Sequence, residues 1–347
     1  MSDYSAVSAK IRSMYGKHLE LSDYENLLSK GSVSEMCAYL KNETAYGDVF
    51  SDVNPGDMHR EVIEHRLAIE AADEYARIYS FLDASQQSIL EFWHYRSEIK
   101  FLKGCLMNVM GHESKPLEAP ETTKFLESHT KIKIDKCINA KSLSDFVEAT
   151  DQTPYKEIFL RATGAGADFF TIAMTLDGFY FKKLFDKAEN LLPEEEVASL
   201  KKLIGSKSDM LNIMWIYRGK KYFKMDPELI YTYIIPVRFK LTGEMLKSLV
   251  TAETPEAIPA LLEGSAYEGL FYKADEGFFA EENYRRMLYK NAKAFFRKEP
   301  DSMAAIFAYL YLKRFEVLNI TCAIEGIRYG IEPEAILKRI KFSREAI

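Results

Sequence analysis

The chain has 347 residues, 47% of them apolar and 28% charged, with a formal net charge of −6. That balance suits a large folded core, excludes a disordered chain, and makes nucleic acid an unfavourable main partner despite basic spots at Lys182-Lys183, Lys201-Lys202 and Arg218-Gly-Lys220-Lys221. Glycine (17) and proline (11) are too sparse for a turn-rich β sandwich or barrel.

The first four residues, Met1-Ser-Asp-Tyr4, show neither the basic nor the apolar region of a signal peptide. Val33, Met36, Cys37 and Leu40 then repeat at helical spacing and lead into Thr44-Ala-Tyr46-Gly-Asp-Val-Phe50. After a loop over Ser51–Asp57 containing Asn54-Pro-Gly, the pattern predicts a helix over Met58–Leu82. Its apolar stripe is Ile63, Leu67, Ala71, Tyr75, Ile78 and Leu82, with acids on the outer positions. A helix through Tyr95-Arg-Ser-Glu98-Ile99 precedes a polar linker, Gly111–Pro120, with two prolines.

The same order then recurs. Leu143, Phe146 and Val147 lead into Thr153-Pro-Tyr155-Lys-Glu-Ile-Phe159. Gly164-Ala-Gly166-Ala-Asp168 lacks the preceding strand and third glycine of a dinucleotide loop, so it reads as a helix start. An aromatic-rich helix is predicted over Phe169–Leu191, followed by one that starts at Pro193-Glu194-Glu195-Glu196 and closes at Gly205. Asp209-Met-Leu-Asn212-Ile213 comes next, then a weaker boundary over Arg218–Pro227. The third round contains Ile258, Leu261 and Leu262, then Ser265-Ala-Tyr267-Glu-Gly-Leu-Phe271, a helix over Phe278–Phe296, and Glu316-Val-Leu-Asn319-Ile320.

The tyrosines at positions 46, 155 and 267 divide the chain into near-equal thirds, a period of domain size rather than of a solenoid. The chain therefore reads as an all-α protein of three similar modules, over residues 1–114, 115–224 and 225–347. Thr44, Thr153 and Ser265 are expected to cap helix starts, with Glu268 completing a capping box on Ser265. Tyr46 with Phe50, Tyr155 with Phe159 and Tyr267 with Phe271 are expected to share a buried face. The offset from Tyr46 to Glu98 equals that from Tyr267 to Asn319, and the one from Tyr155 to Asn212 is slightly longer, as a modest insertion in the middle module would make it. Asp209 with Asn212 and Glu316 with Asn319 sit three apart on one face, which favours hydrogen bonds between helices inside each module. Tyr95 and Glu98 occupy that position in the first module, and their role stays open.

Catalytic chemistry is not in view. The six histidines (His18, His59, His65, His94, His112, His129) form no HExxH and no His–Cys cluster, and surface positions are expected for them rather than metal binding. No GxxxxGK[ST] or GxSxG occurs. Cys37, Cys105, Cys137 and Cys322 are widely spaced without a CxxC, as for reduced thiols in the cytosol. No stretch approaches the ~20 apolar residues of a membrane span. No cofactor, metal or catalytic residue is expected.

Taken in order, the opening Tyr4-Ser-Ala-Val-Ser-Ala-Lys-Ile11-Arg12, Leu27-Leu28, the Ser32–Tyr46 segment, the [Ser/Thr]-x-Tyr repeats, Asp209–Ile213, Ala308–Ile320 and Gly330–Ile336 resemble the C subunits of archaeal-type and bacterial V/A-type rotary ATPases. These are related to the d subunit of the eukaryotic vacuolar enzyme. The resemblance spans essentially the whole chain. It implies a non-catalytic rotor part whose three modules surround a pseudo-threefold axis and form a funnel. The mouth would hold the tip of the central shaft, built of D- and F-type subunits. The other face would sit on the membrane proteolipid ring, at the cytoplasmic side, and so couple ATP turnover to H⁺ or Na⁺ transport. Two alternatives remain at this level: a three-repeat helical scaffold for another multisubunit partner, and an enzyme with a central site built from Asp209, Asn212, Glu316 and Asn319.

Overall fold

An apolar period near that of the α-helix runs along most of the chain, and it folds accordingly: the described residues are predominantly helical and contain no strand. The computed structural model describes residues 4–54, 60–111, 130–272 and 278–340. Most of the expected linker over Gly111–Pro120, the Pro-Gly of the Asn54 loop, the start of the helix expected from Met58, and His59, His112 and His129 lie outside the described residues. So do the side chains of Arg60, Phe278 and Phe279. The chain divides into two compact units, Met1–Leu82 with Arg286–Ile347, and Asp83–Arg285. The first unit thus draws on both ends of the chain.

That first unit begins with α1 (Ser5–Tyr15), α2 (Leu21–Leu28), α3 (Val33–Glu43) and α4 (Arg60–Tyr79). Glu20 and Asp23 form a capping box at α2, and Ser32 accepts from the Glu35 N–H to start α3. The second unit follows with α5 (Ala84–Leu90), α6 (Phe92–Val109), α7 (Ile134–Ile138), α8 (Leu143–Ala149), α9 (Lys156–Ala165) and α10 (Phe169–Leu191). It continues through α11 (Glu194–Leu200), α12 (Ser206–Lys221), α13 (Pro227–Thr232), α14 (Gly243–Thr251) and α15 (Ile258–Leu261). The division between units falls inside α16 (Phe278–Lys298), and α17 (Met303–Arg328) and α18 (Pro333–Ile340) return to the first unit.

Two helices act as hubs, α12 in one unit and α17 in the other. Every residue from Met303 to Leu312 is buried, as is nearly every residue from Ser206 to Tyr217. A helix buried on all sides must find partners for its polar residues inside the protein, and both do so. Around α17 the apolar core gathers Leu27 and Tyr24 of α2, Met36 and Leu40 of α3, Ile63 and Leu67 of α4, and Ile336 of α18.

The structure differs from expectation at Gly205. The helix that begins after Pro193 does not stop there. It continues through a π-helical turn, Lys201–Gly205, straight into α12. Gly205 is small for another reason: a Cβ at that position would sit 3.2 Å from the Phe239 Cβ. The glycine lets the 238–241 segment lie against the hub helix. The Gly164–Asp168 stretch is one helix end and one start. Gly166 ends α9 at φ 61°, and the Asp168 side chain accepts from the Thr171 N–H at 2.8 Å to begin α10.

Candidate functional site

The repeated phrase forms the same local turn three times. The hydroxyls of Thr44, Thr153 and Ser265 accept from the backbone N–H of Tyr46, Tyr155 and Tyr267 at 3.2, 3.2 and 3.1 Å. Thr44 and Thr153 also donate back to the Leu40 and Thr150 carbonyls at the ends of α3 and α8. This short side-chain turn reverses the chain and drives the tyrosine inward. A true helix cap forms in none of the three. Turns follow Thr44, α9 starts only after Tyr155, and a single 3₁₀ turn follows Tyr267. Glu268 takes the Gly264 N–H at 2.9 Å instead of completing a box on Ser265, because the Ser265 oxygen is already engaged two residues on. Tyr46, Tyr155 and Tyr267 are all buried, as are Phe50, Phe159 and Phe271.

Each tyrosine hydroxyl lies at an acid of a long helix, forming a clasp; Asp209 and Glu316 are buried and Glu98 is half-buried. On α12 the Asp209 carboxylate accepts from Tyr267 at 2.5 Å and from the backbone N–H groups of Phe239, Lys240 and Leu241 at 3.1, 2.7 and 2.9 Å. On α6 the Glu98 carboxyl accepts from the hydroxyls of Tyr155 at 2.8 Å and Thr130 at 2.6 Å. On α17 the Glu316 carboxyl accepts from the Leu19 N–H at 2.6 Å, and Tyr46 is tied to it through Lys313, whose Nζ donates to the Tyr46 hydroxyl at 3.1 Å and lies 3.3 Å from a Glu316 oxygen. Each acid thereby holds both ends of one helical hairpin: residues 19 and 46, 130 and 155, or 240 and 267. The asparagines join in. Asn212 exchanges two hydrogen bonds with the Ile235 backbone at 2.9 and 3.1 Å, and Asn319 bonds Tyr24.

The partners run backwards along the chain. Tyr155 meets Glu98, 57 residues before it, and Tyr267 meets Asp209, 58 residues before it, while Tyr46 lies with Lys313 and Glu316 near the other end of the chain. Glu98 fills the role of Asp209 from a site one helical turn later, and Tyr95 packs its ring edge-on to Tyr155 with centroids 6.4 Å apart. The family model for the ATP synthase (C/AC39) subunit matches residues 7–339. The chain belongs to that family. Among curated relatives of this C/AC39 chain are proteins named as the C subunit of an A-type ATP synthase. That of Methanosphaera stadtmanae is 24% identical, covering 97% of this chain and 87% of the relative. That of Methanocaldococcus jannaschii is 23% identical over 97% and 86%, and that of Thermococcus kodakarensis 25% over 96% and 89%.

In this C/AC39 chain the electrostatics of the clasps favour structure over chemistry. Burial pushes the Glu98 and Glu316 carboxyls above the ordinary range, partly offset by their donors. Burial and then the neighbouring acid push Tyr46 and Tyr155 well up, and Tyr267 up, so all three hydroxyls keep their protons; Tyr155 and Tyr267 donate to their acids and Tyr46 accepts from Lys313. The family is a non-catalytic part of its complex, and every acid in a clasp is occupied by a bond that holds a hairpin. Among the described residues no His, Cys, Asp and Glu cluster is placed to hold a metal, and no helix is long and apolar enough to cross a membrane. Burial lifts the thiols of Cys37, Cys105 and Cys137 to about 12, which leaves them unreactive.

Sequence reasoning missed three members of the Glu316 site. Glu74 of α4 is 6% exposed, on a helix whose acids were expected to point outward. Its signal was available: position 74 falls two helical turns after Leu67, on the buried stripe. Lys313 is 5% exposed, and burial pulls its pKa down, but Glu316 and Glu74 together outweigh that and leave it raised. Two histidines are inside rather than on the surface: His94 is buried in α6, and His18 is packed between Tyr15 and Tyr309. The His18 Nε2 lies 3.5 Å from a Glu316 oxygen, yet burial and Lys313 lower its pKa to about 3, so the contact is that of a neutral imidazole.

Proposed function

We propose that the chain is the central-rotor adapter of a V/A-type ATPase or ATP synthase. In this reading modules 1–114, 115–224 and 225–347 surround a pseudo-threefold axis and form a funnel. Its mouth receives the central shaft of D- and F-type subunits, and its other face rests on the proteolipid ring at the cytoplasmic side of the membrane. Torque then passes through it in either direction, driving H⁺ or Na⁺ movement or ATP synthesis. The observation that carries the reading is the family match over residues 7–339. Relatives named as the C subunit of the A-type synthase support it along most of their length.

The clasps suit this task. A torque adapter needs resistance to deformation, and buried charge-assisted hydrogen bonds are short and directional. On the three-module reading, Glu98–Tyr155 would join the first module to the second, Asp209–Tyr267 the second to the third, and Tyr46 with Lys313 and Glu316 the third back to the first. Co-purification of the tagged chain from native membranes tests the function. Recovery of the shaft subunits together with the proteolipid is expected. Recovery of neither, with an unrelated set of companions, would overturn the assignment.

A further inference from the structure

The three acids are neutralised by different means. Asp209 and Glu98 meet backbone N–H groups and hydroxyls, whereas Glu316 stands one turn from Lys313 on α17. The Lys313 Nζ lies 3.3 Å from a Glu316 oxygen and 3.1 Å from a Glu74 oxygen, and donates to the Tyr46 hydroxyl at 3.1 Å. The second Glu74 oxygen accepts from the Tyr309 hydroxyl at 2.5 Å. One buried ammonium therefore serves two buried carboxylates and the repeat tyrosine.

Chain connectivity separates this joint from the others. Glu98 and Thr130 belong to one continuous stretch of chain, as do Asp209 and Lys240. Leu19 and Tyr46 reach Glu316 and Lys313 from the opposite end of the polypeptide. We propose that Lys313 is a latch: a positioning residue that keeps the N-terminal hairpin, residues 19–53, docked on α17, and whose loss releases that hairpin locally. Without the ammonium, two carboxylates would face each other in a dry site, and removing one partner of a buried ion pair is strongly destabilising. Helices α4 and α17 also share an apolar core through Leu67 and Ile320. The hairpin packs on that same core through Leu27, Met36 and Leu40. Its polar anchors on α17 gather around the ammonium: Leu19 on Glu316, Tyr46 on Lys313 itself and Tyr24 on Asn319, so the hairpin is where loss of Lys313 is felt first.

Other groups face the latch without titrating near neutrality. The His18 imidazole, from the turn after α1, is neutral above about pH 3. Tyr15 of α1, Tyr24 of α2, Tyr289 of α16 and Tyr309 of α17 all have raised pKa values and stay protonated. Arg297 on α16 is a guanidinium, the group that proteins do not deprotonate, and Arg77 on α4 is paired with Glu70. The response to falling pH therefore belongs to the carboxyls that share the site with Glu74: Glu316 and, behind it, Glu70, both raised above the ordinary glutamate value by burial.

Hydrogen exchange by mass spectrometry on the full chain tests the latch, with peptides from 130–159 and 240–271 as internal references. In Lys313→Met, protection of 19–53 should fall about 100-fold at pH 7.5 while the references hold. It should largely return at pH 5.5, after correction for intrinsic exchange, as the carboxyls take up protons. Lys313→Arg should keep protection, and adding Glu74→Gln to Lys313→Met should restore it. A uniform loss, no loss, or a loss that ignores pH would overturn the proposal. Should Lys313→Met fail to fold, the double variant decides alone: a hairpin still unprotected there defeats the charge argument.

Discussion

Asp209 and Glu316 do the same job in different units, and they are stabilised by opposite strategies. Asp209 is solvated by oriented neutral groups, three backbone N–H donors and one hydroxyl. Glu316 leans on an ion, and that ion is shared with a second acid. A carboxylate surrounded by fixed dipoles is well solvated only while it stays a carboxylate. One in a cluster with two acids and one ammonium carries surplus negative charge and tolerates neutralisation.

The comparison predicts unequal responses to the same chemical change. Asp209→Asn turns an amide N–H₂ toward a nest of N–H donors, so it should cost about 2–4 kcal/mol, and Asp209→Ala about 4–6 kcal/mol through several orphaned buried donors. Glu316→Gln removes the surplus charge and should stay within about 1 kcal/mol of the native chain. Urea unfolding of the purified variants reads all three. Equal costs for Asp209→Asn and Glu316→Gln would erase the distinction.

The hydroxyl series sharpens it. Tyr155→Phe leaves Glu98 with Thr130 as its remaining side-chain donor and should cost about 1.5–3 kcal/mol. Tyr267→Phe leaves Asp209 its three backbone donors and should cost about 1 kcal/mol. The ring packing is kept in both, so a larger loss at Tyr267 would mean that the hydroxyl, not the backbone nest, carries that clasp.

Much of this was legible in the residues. The tyrosine and phenylalanine of each repeat, the three-apart acid and amide, and the helical patterning all follow from period and spacing. The pairing was not. Tyr155 lies about midway between Glu98 behind it and the Asp209–Asn212 motif ahead, so sequence distance alone does not say which neighbour a repeat tyrosine clasps. Glu98 was obscured because its carboxyl acts from the position where the other two modules carry asparagine, and a helix turn lets i and i+3 reach the same spot. Lys313 and Glu74 read as ordinary charges on amphipathic helices until both are found facing inward.

Glu98 gives the comparison a pH axis. Its folded pKa lies above the ordinary glutamate value of 4.5 because burial outweighs the two hydroxyl donors. The folded state thus binds the proton more tightly than the unfolded chain, so ionised Glu98 weakens the fold at neutral pH. That penalty is relieved as pH falls from above the raised value toward 4.5. Glu98→Gln should flatten this part of the stability profile, and the difference between native and variant unfolding free energies should change sign or shrink between pH 7.5 and 5. Parallel profiles would show that the carboxyl titrates as it does in the unfolded chain.

The smallest expected effect tests the backbone side of the Asp209 clasp. Gly205 lies in the π turn, and an added methyl would stand 3.2 Å from the Phe239 Cβ and 3.8 Å from the Phe239 nitrogen. Its own backbone is ordinary helix, with φ −65°, so alanine is not strained there and in open space would favour the helix by about 0.5–1 kcal/mol. The close approach opposes that gain. If the 238–241 segment must rest on the hub helix for its N–H groups to reach Asp209, Gly205→Ala should be net destabilising by about 1 kcal/mol, and combining it with Asp209→Asn should cost less than the sum of the two. Strict additivity, or a stabilised Gly205→Ala, would mean that the segment can shift by a few tenths of an ångström without loosening its hold on the carboxylate.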